Sequence, residues 1–144
     1  MSPQGMVAGV SVEINASRQA VWQALTDPEM IQQYMFGTIV ESDWQLGSPI
    51  KWKGEWQGRA YEDHGEVLQI EEAELLQYSH ISGVALAAGN LDAGHTVTVR
   101  LAEQDGVTTV RLAQDGNANH EEVDHAAENW KMMLQGLKNL VEEN

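Results

Sequence analysis

The chain has 144 residues, no cysteine, and 22 acidic against 8 basic side chains, for a formal charge of -14. Without cysteine there is no disulfide, no thiol nucleophile and no thiolate ligand, and so acidic a balance argues against nucleic acid and anionic membrane surfaces, which need basic patches. One domain over residues 1–144 is expected, because a chain of this size buries roughly 68–70% of the surface that its unfolded form exposes.

Met1-Ser2-Pro3-Gln4-Gly5 gives no basic start before an apolar run, and no stretch approaches the ~20 apolar residues of a membrane span. The expectation is a cytoplasmic protein without membrane insertion. Val10, Val12 and Ile14 alternate at period two, which predicts a strand over 7–14. Ser17 then stands as the N-cap of a helix through Val21, Trp22 and Leu25. Asp27-Pro28 interrupts it: Asp27 caps a second helix, and Pro28 fits its first turn, where a missing N–H costs nothing. That second piece runs through Met30, Ile31, Tyr34 and Met35 and stops at Gly37.

Six strands are predicted next, over 39–44, 50–56, 65–70, 75–82, 96–102 and 107–113. Asp105-Gly106 between the last two is a strong hairpin signal. The small residues from Gly83 to Gly94 read as a mobile, gate-like loop. A long helix follows over about residues 121–142, with Val123, Ala126, Trp130, Met133, Leu134, Leu137 and Val141 on one stripe. Strands and helices segregated in this way predict an α+β fold, with a mostly antiparallel sheet curled around the long helix and the two short helices plugging one end.

Several segments also match a known pattern: Val21-Trp22, Leu25-Thr26-Asp27-Pro28, Gly65-Glu66-Val67, Thr96-Val97-Thr98-Val99, and Asn129-Trp130 followed by Leu134, Leu137 and Leu140. In this order they resemble the START-like (SRPBCC) superfamily, and within it the branch named after the C-terminal domain of the heat-shock-protein-90 ATPase activator. The resemblance implies a helix-grip fold, in which a seven-stranded antiparallel sheet wraps the C-terminal helix and leaves a deep cavity. Members of that superfamily bind lipids, sterols, polyketides or plant hormones. Some are cyclases and some bind proteins, so the fold does not fix the function. This sequence departs from the pattern at Tyr34, near which a tryptophan is usual, and at Glu72-Ala73-Glu74, where a proline pair is usual.

Five tryptophans stand against one phenylalanine. Trp22 and Trp130 lie on helical stripes and read first as core. Trp52 and Trp56 share a strand face with Ile50 and Gly54, opposite Lys51, Lys53 and Glu55, which gives flat apolar walls beside a gap. Leu76, Tyr78 and His80 share another face; if it points inward, Tyr78 and His80 are the polar cavity residues. The expected cavity residues are therefore Tyr34, Met35, Trp52, Trp56, Tyr78 and His80, with Val99, Trp130, Met133 and Leu137 from the last strands and helix. His80 and Glu66 are the acid/base candidates, Glu66 through a shared face with Glu62 and His64, although core packing remains the plainer reading of His80. His120 with Asp124, and Glu121 with His125, have metal-pair spacing but lack a third ligand, so neither a metal nor a cofactor is expected. Gly136 in the long helix implies room for a ligand or a close backbone approach.

Binding of a small apolar or amphipathic ligand ranks first. A chaperone-activator-like interaction module, self-association as a homodimer included, ranks second. An enzyme acting on a hydrophobic ring compound ranks third.

Overall fold

The computed structural model describes residues 6–89 and 94–143, except the side chains of Trp56 and Leu86. Strand β1 (Met6–Ile14) leads through Ala16 into helices α1 (Arg18–Thr26) and α2 (Pro28–Tyr34). Ser17 caps α1 by accepting the Ala20 N–H, and Asp27 caps α2 by accepting the Glu29 N–H at 2.9 Å. The break is thus a helix restart, as the sequence predicts. It is tied from the far side by the Tyr34 hydroxyl, which donates to the Ala24 carbonyl at 2.8 Å.

Strands β2 (Ile39–Glu41), β3 (Pro49–Trp56), β4 (Arg59–Glu71) and β5 (Leu75–His80) follow, then helix α3 (Gly83–Ala87), β6 (His95–Gln104), β7 (Val107–Asn117) and helix α4 (His120–Glu143). The seven strands form one antiparallel sheet in the order β1-β7-β6-β5-β4-β3-β2. The expected Asp105-Gly106 hairpin is present, with both residues at positive φ (53° and 81°). Gln57-Gly58 makes an equivalent two-residue turn between β3 and β4.

Strand β7 runs on to Asn117, four residues past its expected end, and other boundaries differ too. Strand β2 stops at Glu41, and Trp44 takes a left-handed φ of 52° with its N–H on Ser42 Oγ. Strand β4 begins at Arg59, six residues earlier than read, because the turn at Gln57-Gly58 leaves Arg59 directly opposite Trp56. The supposed loop after Ser82 starts as helix α3, whose first turn is held by Ser82 Oγ accepting the Ala85 N–H. Residues 90–93 of that stretch lie outside the described residues.

The concave face of the sheet carries Val67, Leu76, Val97, Val99, Leu101, Val110 and Leu112, and α4 lays Leu134, Leu137 and Val141 against it. Each such side chain, once buried, contributes about 1.5–3 kcal/mol of apolar transfer. Helix α4 starts on a reciprocal cap, in which Asn119 Oδ1 accepts the Glu122 N–H and Glu122 Oε1 accepts the Ala118 N–H. Gly136 answers to close approach: a Cβ there would lie 3.3 Å from Tyr34 Cβ, so glycine lets α4 run against α2.

Candidate functional site

Sheet register assembles the site. In the inward phase, β3 presents Ile50 and Trp52, β4 presents Tyr61, Asp63, Gly65 and Val67, β5 presents Leu76, Tyr78 and His80, and β6 presents His95, Val97 and Val99. Trp52 pairs directly with Asp63 across β3 and β4, and His80 with His95 across β5 and β6. One end of the concave face therefore carries aromatic and titratable groups in a row, while the other end is aliphatic.

Over this row lies a chamber of about 240 Å³, walled by Met35, Trp52, Tyr78, Val97 and Trp130 and edged by Thr38, Tyr61, Asp63, His80, His95 and Gln114. Beneath it a narrower apolar chamber of about 40 Å³ reaches toward α4 between Leu25, Ile31, Tyr34, Leu76, Val99, Leu112, Met133, Leu134 and Leu137. Met35, Trp52, Tyr78 and Trp130 line both and form the partition.

His80 Nε2 lies 3.0 Å from Asp63 Oδ2, while Asp63 Oδ1 accepts the Gly83 N–H at 3.0 Å. Burial pushes the Asp63 carboxyl up, but the His80 hydrogen bond, the Gly83 amide and the charges of His80 and His64 outweigh it and hold it below the ordinary aspartate range. An ionised carboxylate only accepts, so His80 carries its proton on Nε2, and in the neutral ring Nδ1 is a bare acceptor. His95 is fixed the other way: its Nδ1 donates to the Asp115 carbonyl at 2.8 Å, leaving Nε2 as the acceptor. The two rings stack with centroids 6.3 Å apart, and Trp52 meets His80 edge-on at 5.0 Å.

Gly116 (φ 78°) makes room for His95, since a Cβ there would sit 2.7 Å from His95 Nδ1. Trp130 Nε1 donates to Gln114 Oε1 at 2.6 Å, and the Thr38 and Tyr61 hydroxyls share one hydrogen bond at 2.5 Å. Burial pushes the Tyr78 phenol well above its ordinary value; burial and the neighbouring Tyr78 do the same for Tyr34. In the inner chamber Trp44 Nε1 is buried and has no hydrogen-bond partner among the described residues.

Of the residues anticipated from sequence, His80 lines the outer chamber, Met35, Trp52, Tyr78 and Trp130 line both, and Tyr34, Val99, Met133 and Leu137 line the inner one. Trp56 closes β3, but its side chain lies outside the described residues. Glu66 is corrected: it is exposed on the convex face, out of phase with Gly65 and Val67, so it faces away from the cavity. Its proposed companions Glu62 and His64 do meet, at 2.9 Å, but on that same outer face. Asp63, His95, Tyr61, Thr38 and Gln114 were missed. Extending the period-two phase back from Val67 and Val97, and forward from Leu112, reaches Asp63, His95 and Gln114. Among the described residues, no group of three or more His, Asp or Glu side chains is placed to hold a metal ion.

With this geometry in place, comparison with known proteins identifies the lineage. The family model described as activator of Hsp90 ATPase homolog 1-like protein matches residues 15–142. The chain belongs to that family. A solution structure of protein ChR145 from Cytophaga hutchinsonii is 45% identical, with 99% of this chain and 97% of that one covered and a TM-score of 0.84. Protein MLL2253 from Mesorhizobium loti is 21% identical over 96% and 98% of the two chains, with a TM-score of 0.80. The Aha1 dimer from Colwellia psychrerythraea is 17% identical over 95% and 96%, with a TM-score of 0.74. No curated protein matches. The activator of Hsp90 ATPase homolog 1-like family is thus shown by sequence, and the SRPBCC-type helix-grip fold by the structural likeness as well. No described helix of this family member is long and apolar enough to cross a membrane.

Proposed function

We propose that this protein binds a small amphipathic molecule between the sheet and α4. The observation that carries the reading is the 240 Å³ chamber, whose walls are aromatic and aliphatic and whose polar groups gather along one edge. Ligand sites combine a mostly apolar lining with a few placed polar groups in this way. The volume sits just under the roughly 300 Å³ at which drug-sized pockets begin, which suits a compound of one or two rings. A longer ligand has to part Met35, Trp52, Tyr78 and Trp130 to reach the inner chamber. Met35 and Met133 are unbranched and repack at little cost.

Native mass spectrometry of protein purified without detergent, compared with its denatured mass, is the first test; a reproducible extra mass is expected. A panel of ring compounds followed by amide chemical shifts is the second, with the largest shifts expected at Trp52, His80, His95 and Val97. No extra mass together with no shifts in that set overturns the reading.

The Asp63–His80 pair favours a second reading, acid/base chemistry on the bound molecule, because an ionised carboxylate fixing an imidazole is the arrangement of a general base. Unchanged turnover of a processed ring compound by His80→Ala would remove it. A chaperone-binding role is carried by family likeness alone, and a chaperone ATPase assay without stimulation would dismiss it.

A further inference from the structure

The polar edge of the outer chamber is one-sided in what it offers. Resting on the ligand-cavity reading above, we infer that the chamber takes an uncharged ring compound bearing a hydroxyl or N–H donor and discriminates against carboxylates, sulfonates and phosphates.

Two observations carry this independently. The first is the fixed protonation pattern: Asp63 holds the His80 proton on Nε2, and the Asp115 carbonyl holds the His95 proton on Nδ1. The opposite nitrogens, His80 Nδ1 and His95 Nε2, have no hydrogen-bond partner among the described residues, and the rings that carry them stand side by side on the chamber edge. With the ring in that tautomer, each imidazole has an unused acceptor, and a ligand reaching both is asked for a donor.

The second observation is charge. Among the described residues no lysine or arginine lines the chamber, while Asp63 does. An anionic group would sit against an ionised carboxylate in a partly enclosed, low-dielectric space with no lysine or arginine to offset it. Both Asp63 oxygens already hold donors, from His80 and from Gly83, so the carboxylate sets a tautomer and is not left open to pair with an ammonium ion.

The test uses four probes sharing one naphthalene ring: 2-naphthol, 2-methoxynaphthalene, 2-naphthoate and 2-naphthylmethylammonium, titrated calorimetrically into the wild-type protein near neutral pH. Naphthol is expected to bind about tenfold more tightly than its methyl ether, the ordinary worth of one hydrogen bond. It is expected to exceed naphthoate by more than that, and to exceed the ammonium probe. In Asp63→Asn the gap between naphthol and naphthoate is expected to narrow severalfold; should that variant fail to fold, the wild-type ranking decides by itself. Naphthoate or the ammonium probe binding as tightly as naphthol overturns the inference, and so does a methyl ether equal to naphthol. Those outcomes leave the ligand-cavity reading standing, whereas binding by none of the four counts against that reading itself.

Discussion

His80 and Asp63 meet at 3.0 Å from adjacent strands, and the same carboxylate holds the first amide of α3, so one side chain fixes both an imidazole and the segment beyond it. This linkage has a pH signature. The Asp63 carboxyl is held below its usual range: burial raises it, but the His80 and Gly83 hydrogen bonds and the nearby histidine charges win. Its folded-state value is depressed, so its contribution to stability is fully present above the unfolded value of about 3.9 and is lost as pH falls through the folded value. Urea melts should show Asp63→Asn less stable than wild type near neutral pH, with the difference closing only below about pH 4. A difference independent of pH would refute the linkage.

Gly65→Ala should be among the most damaging small substitutions in the chain. Its Cβ would lie 1.9 Å from the Ser79 carbonyl oxygen and 3.0 Å from the Trp52 ring, and the nearer obstacle is backbone. Strands β4 and β5 must separate where they frame Asp63 and His80. A loss of about 3 kcal/mol or more is expected by denaturant melt, at the upper end of overpacking costs.

Tyr34→Phe removes the donor to the Ala24 carbonyl, which lies in the last turn of α1 and has no onward helical partner. The cost should be about 1–2 kcal/mol by thermal or chemical unfolding, the range for stranding one buried polar group. The outer chamber, which Tyr34 does not line, should keep its probe affinities.

Leu137→Ala should separate stability from capacity. Leu137 is fully buried and lines the inner chamber. Truncation should cost about 2–5 kcal/mol and leave apolar space beneath the Met35–Trp52–Tyr78–Trp130 partition. Longer alkyl-substituted ring probes should then gain affinity relative to wild type while unsubstituted rings do not, as calorimetry would show.

How far the sequence can be read depends on which signal a residue carries. The Asp27-Pro28 restart, the Asp105-Gly106 hairpin and the α4 stripe rest on local chemistry, and all are present where expected. Tyr78 and His80 are reachable because Leu76 fixes their phase. Asp63 is not, because polar residues before Gly65 look like a loop, whereas the tight Gln57-Gly58 turn pairs Trp56 with Arg59 and extends β4 back through them. His95 fell one residue outside its predicted strand. The pairing of His80 with His95 is a matter of register between strands joined by a long connection, which no local pattern encodes.

Strand β1 pairs along its length with β7, and the Asn15 amide and the Glu13 carbonyl are held by Glu142 and Lys138 near the far end of α4. Strand β1 therefore finds its place only after β7, far along the chain, is available. During synthesis, β1 and the concave face formed by β3 to β6 wait with their apolar sides uncovered until residues 107–143 have left the ribosome. Loop closure over about a hundred residues makes that final docking slow relative to local structure. A molecule lodged early against Trp52 and Tyr78 would cover part of the waiting surface and so take part in the assembly of the fold.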